Sequence, residues 1–153
     1  MFLTKRKSEK CLIYEIPIIQ IGIPNCVGNI YTEESVEMLM SSYNKKDSLY
    51  GELISDLDSN NKYELKLQDV THKLKHLFVQ DGFVVAVIEF LKNKKSDETI
   101  DLMRRGLVTL RPTISGFVDP DTKHIRVTEL IGVDFLPTDE RTMPKEIVWN
   151  KIK

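Results

Sequence analysis

The sequence predicts an α+β protein built mainly as an antiparallel β-barrel with short flanking helices. Three observations carry this expectation. Runs rich in Ile and Val recur along most of the chain, as strands prefer. An Asp81-Gly82 pair separates two such runs, the strongest short-range signal for a hairpin. Only two short segments read as helices, and hairpins without regular βαβ alternation disfavour a doubly wound parallel sheet. The 153 residues suit one domain able to fold without disulfide or metal. At 41% hydrophobic and 29% charged residues the composition argues against wholesale disorder. Twenty-two Lys and Arg against 23 Asp and Glu leave a formal charge of −1, with no general attraction to nucleic acid or anionic membrane.

Residues 1–10 carry Lys5, Arg6, Lys7 and Lys10 and read as a flexible basic arm. Residues 11–137 form the single domain, and 138–153 a tail. Cys11 to Ile23 is β-like, and Pro17 within it suggests an edge strand or a bulge. Pro24, Asn25, Gly28 and Asn29 then mark a loop. Thr32 is a good N-cap, followed by Glu33 and Glu34 where the helix dipole favours acid. Val36, Leu39, Met40 and Tyr43 fall at helical spacing, so a helix is expected over 33–43. Leu49 to Ile54 is an apolar patch, followed by the polar loop from Ser55 to Asn61.

A hairpin is expected between Val70 and Leu91. Its first arm alternates Leu74, His76 and Phe78 against Lys73, Lys75 and Leu77, placing His72, Leu74 and His76 on one face. Its return arm, Phe83 to Phe90, is almost wholly apolar, which implies a central strand covered on both faces. Ser96 is the expected cap of a second helix that ends with Arg104, Arg105 and Gly106. Leu107 to Val118 returns to strand, broken by Pro112 and Gly116. Asp119-Pro120-Asp121-Thr122 is a turn signal. Ile125 to Phe135 supplies a last strand or two, with Gly132 as the expected bulge. The tail is polar until Ile147-Val148-Trp149, which docks on the body or on a neighbour.

General catalytic signatures are missing. The sequence has no Gly-x-Ser-x-Gly elbow and no Gly-rich phosphate loop. His72 and His76 have no further ligands at metal-binding spacing, so both read as half-exposed strand histidines and no metal or cofactor is expected. Cys11 and Cys26 make no disulfide framework and read as small buried or half-buried hydrophobes. The apolar part of the opening residues is too short for a signal peptide, and no run of roughly 18 apolar residues spans a bilayer. The expected setting is a reducing cytoplasm or a particle assembled there.

The order of motifs carries a resemblance. Gly28-Asn29-Ile30-Tyr31-Thr32 leads into a helix, Leu49-Tyr50-Gly51-Glu52-Leu53 follows, and Val70-Thr71-His72 opens a hairpin. A short helix ending at Gly106 precedes Leu110-Arg111-Pro112. The Asp119 turn and the stretch Ile131-Gly132-Val133-Asp134-Phe135-Leu136-Pro137 complete the series. Over roughly residues 15–137 this order resembles the prohead (capsid maturation) proteases of tailed bacteriophages, whose fold is shared with the herpesvirus assemblin proteases.

The resemblance implies a triad of serine, histidine and a second histidine or acid, and the mapping is degenerate. Ser55 stands at the general-base position, with Asp56 where proline is usual. Arg111 and Pro112 stand at about the nucleophile position. Only His72 matches, at the third position. A serine attacks only when a base takes its proton. Ser55 has no useful basicity, Pro112 no nucleophile, and Arg111 is permanently cationic.

The expected function is therefore a virion structural protein, an auxiliary or decoration component of a phage capsid built on an inactivated protease fold. It is expected in the virion capsid, assembled in the host cytoplasm. Its partners are the major capsid protein or other head proteins, with no membrane, no specific nucleic acid and no small-molecule substrate. Candidate contact regions are the Trp149 tail, the basic arm and the loop from Asp56 to Asn61. Two alternatives stand beside this reading. One is an active prohead serine protease with a rearranged triad, drawing on Thr109, Thr113 or Ser115 with His72 or His76. The other is an unrelated small binding domain.

Overall fold

A computed structural model describes residues 12–25, 27–54, 69–138 and 150–152. Among these residues the chain runs β1 (Leu12–Gln20), α1 (Glu33–Asn44), β2 (Leu49–Glu52), β3 (Val70–Gln80), β4 (Phe83–Phe90), α2 (Lys94–Arg104), β5 (Val108–Val118), β6 (Ile125–Pro137) and β7 (Asn150–Ile152). Cys11, Cys26, Ser55, the basic arm, the loop from Asp56 to Asn61 and Ile147 to Trp149 lie outside the described residues.

Five strands form one sheet in the order β2-β3-β4-β1-β7, and β5 and β6 form a separate ribbon. All these pairings are antiparallel. Among the described residues the expected closed barrel is not formed. On one side the ribbon meets the residues just after β2 through an isolated parallel bridge, Leu53 to Phe135, with the Ile54 N–H donating to the Phe135 carbonyl at 2.9 Å. On the other side β7 takes the outer edge of β1 from Ile13 to Glu15, and β5 makes no ladder with β1. One apolar core nonetheless joins sheet, helices and ribbon, with Tyr14, Leu39, Ile88, Met103, Leu130 and Phe135 all within it.

Local sequence explains most elements. β4 lies between β3 and β1, as its apolar run requires. Asp81 and Gly82 both have positive φ, 52° and 83°, which a two-residue type I′ turn demands. Pro17 sits at a register shift against β4, where its missing N–H and fixed φ are tolerated. Thr32 caps α1 through a reciprocal pair: its Oγ1 accepts the Ser35 N–H and the Ser35 Oγ accepts the Thr32 N–H, both at 3.0 Å. The Ser35 hydroxyl also donates to the Ile125 carbonyl, and the Leu130 N–H donates to Ser42 Oγ at 2.9 Å. These bonds hold α1 along β6.

Three expectations are corrected. The cap of α2 is Asn93, not Ser96: Asn93 Oδ1 accepts the Ser96 N–H at 2.7 Å while its amide donates to the Val70 carbonyl at 3.0 Å. Ser96 is one turn in, buried, and its hydroxyl donates to the Thr71 carbonyl at 2.8 Å. β5 is not broken at Pro112 or Gly116, because the extra residues that adjust the register, Ile131 and Thr128, sit on β6. In β3 a register shift between Leu74 and His76 turns the alternation over. Leu74 and Leu77 are buried while Lys75 and His76 face out, so His72 and His76 do not share a face.

Candidate functional site

The site is built where β2, β3, β5 and β6 meet. Gly51 of β2 is the register partner of His72 on β3. A Cβ at Gly51 would lie 1.9 Å from the Val133 carbonyl oxygen and 2.2 Å from His72 Nε2. Only a residue without a side chain lets the imidazole cross β2 and reach β6. His72 is not half-exposed: its exposure is 0%. Its Nε2 is 2.7 Å from the Val133 carbonyl oxygen, an acceptor, so Nε2 carries the proton and donates. The other ring nitrogen, Nδ1, lies 2.7 Å from the Thr71 hydroxyl. Phe135 and Phe90 meet the ring edge-on, at centroid distances of 5.1 and 6.0 Å.

Beside this ring lies a carboxylate that the sequence reading did not select. Asp134 is fully buried. Its Oδ1 accepts the Glu52 backbone N–H at 3.0 Å, and its Oδ2 accepts the Thr113 hydroxyl. One carboxylate thus fastens β6 to β2 and to β5. Arg111 is the register partner of Asp134 across the ribbon. The Arg111 charge also acts on Tyr31, whose phenol burial pushes above its ordinary value and the guanidinium partly pulls back. An acid alone in the apolar stretch from Ile131 to Leu136 was the available signal, since a carboxylate is almost never fully buried unless paired.

The sequence-derived positions converge on three consecutive residues of β6. His72 bonds to Val133, Pro112 pairs with Val133, Arg111 pairs with Asp134, and the backbone of Ile54 bonds to Phe135. Ser55 itself is outside the described residues. Of the other candidate groups, Thr113 reaches this junction through Asp134, whereas Thr109, Ser115 and His76 are placed elsewhere. The Thr113 proton is committed to Asp134, and Thr109 is buried opposite Leu136. Ser115 pairs with Glu129 and lies about 10 Å along the strand from Pro112, at roughly 3.3 Å per residue. His76 stacks on Phe78 with ring centroids 5.5 Å apart.

Through these side chains the arrangement ties β2, β3, β5 and β6 together. Both ring nitrogens of His72 have hydrogen-bond partners within the fold. Among the described residues no group of three or more His, Cys, Asp or Glu is placed to hold a metal ion, and no helix is long and apolar enough to cross a membrane.

The fold is prohead-protease-like. The chain is similar to the solved structure of the bacteriophage T4 capsid assembly protease, with a TM-score of 0.59 over 80% of each chain and 16% sequence identity. No protein-family model matches the sequence, and no curated protein matches it.

Proposed function

We propose that this chain is an inactivated member of the prohead-protease fold that serves as a structural component of a phage head, as an auxiliary or decoration protein on the capsid. One observation carries the proposal. His72 is bonded to Thr71 and Val133, and Arg111 and Pro112, which the sequence resemblance sets at about the nucleophile position, pair with Asp134 and Val133. A permanently protonated guanidinium and an imino acid supply no attacking oxygen. The bonds of Asp134 instead tie three strands together, which suits a rigid binding body better than a cleft that admits and releases peptides.

The partners in this reading are the major capsid protein or other head proteins, met during assembly in the host cytoplasm. Mass spectrometry of purified virions from the phage encoding the chain tests it. The expected result is the uncleaved chain in the particle, removed only by conditions that strip capsid proteins. Its absence from intact particles overturns the proposal.

A further inference from the structure

β5 has two edges, and β6 occupies one. Along the distal half, Thr113 to Val118, the other edge pairs with no described strand. Native proteins blunt such edges with charge, proline or a bulge in the edge strand, because a row of unpaired N–H and C=O groups recruits another strand. None of these devices lies in Thr113-Ile114-Ser115-Gly116-Phe117-Val118. Pro112 and Arg111 precede the segment and Asp119 follows it. The irregularities of the ribbon fall on β6, at Ile131 and Thr128, so the outer line of β5 is regular. The segment also ends on apolar side chains in solvent: Phe117 is 64% exposed, the highest of the exposed large hydrophobics, and Val118 36%.

We infer that this edge is a self-association surface, and that its occupant is the same edge of a second copy of the chain. Antiparallel pairing of β5 with β5 about a two-fold axis near Ser115 joins two ribbons into one four-stranded sheet. A two-fold contact sets each residue near its own counterpart, so any charge close to the axis would face itself. Absence of charge from all six residues is what such a contact requires. With the axis at Ser115, Thr113 lies opposite Phe117 of the other copy, a β-branched and aromatic pair that stabilises antiparallel strands. This inference is independent of whether the chain cleaves peptides.

Sedimentation equilibrium on the full chain, across a concentration series, tests it together with S115K, S115E and their equimolar mixture. The expected wild-type mass rises to twice the 17.7 kDa of the chain. Each single variant stays monomeric with an unchanged circular dichroism spectrum, and the mixture regains the doubled mass because opposite charges now meet. Hydrogen exchange on the wild type gives a readout that needs no variant: amides within 113–118 become protected as concentration rises. A wild type that is monomeric throughout, a dimer that persists in S115K, or exchange at 113–118 that ignores concentration overturns the inference.

Discussion

Replacing Gly51 with alanine is the sharpest perturbation of the junction. The new methyl would stand 1.9 Å from the Val133 oxygen and 2.2 Å from His72 Nε2, well inside any real contact. Either β2 moves away from β6 or the imidazole leaves the Val133 carbonyl. Losing that buried hydrogen bond costs about 1–3 kcal/mol, because donor and acceptor are left unsatisfied. Forcing a methyl into a packed site costs about 1–3 kcal/mol more. The expected loss of roughly 2–6 kcal/mol is a large part of a typical domain's 5–15. Urea unfolding followed by tryptophan fluorescence reads it as a lower midpoint at constant slope. In a His72→Ala background the same substitution meets only the Val133 oxygen, so the two changes couple by about 0.5–3 kcal/mol. A G51A loss below about 0.5 kcal/mol, or an equal loss in both backgrounds, refutes the geometry.

Two further outcomes follow from the same junction. Asp134→Ala strands the Thr113 hydroxyl and the Glu52 N–H in the interior, at about 1–3 kcal/mol each, whereas Asp134→Asn keeps an acceptor and loses less; thermal melting of the pair checks the order. The raised pKa of Tyr31 means the folded state keeps the phenol protonated after the unfolded chain has begun to lose its proton. Its contribution is therefore complete below about pH 10 and falls as pH rises beyond that. Alkaline unfolding with phenolate absorbance should show Tyr31→Phe losing a phenol that titrates above the ordinary range and a flatter decline in stability.

Much of the fold was legible because its signals are local. Thr32 and the Asp81-Gly82 turn act within a few residues, and Pro17 marked its bulge by lacking an N–H. The failures are of longer range. A shift in β3 between Leu74 and His76 depends on how β4 pairs, and no residue there announces it. His72 looked half-exposed because the glycine that lets it cross β2 lies 21 positions away in sequence. Barrel closure depends on whether β5 and β1 ladder, which side-chain pattern does not specify. The sequence predicts Ser96 as the cap of α2, whereas the Asn93 amide bond to Val70 that fixes Asn93 there comes from tertiary structure. Asp134 was readable as a lone acid in an apolar strand, but its partners Glu52 and Thr113 lie on other strands.

Loss of covalent chemistry is what the account stands on, and a serine-reactive fluorophosphonate probes it directly. Intact-mass analysis of the full chain after prolonged exposure should show no adduct and no self-cleavage, at any pH where the protein stays folded. A stoichiometric adduct on a single hydroxyl, abolished by His72→Ala in a variant that still folds, contradicts it.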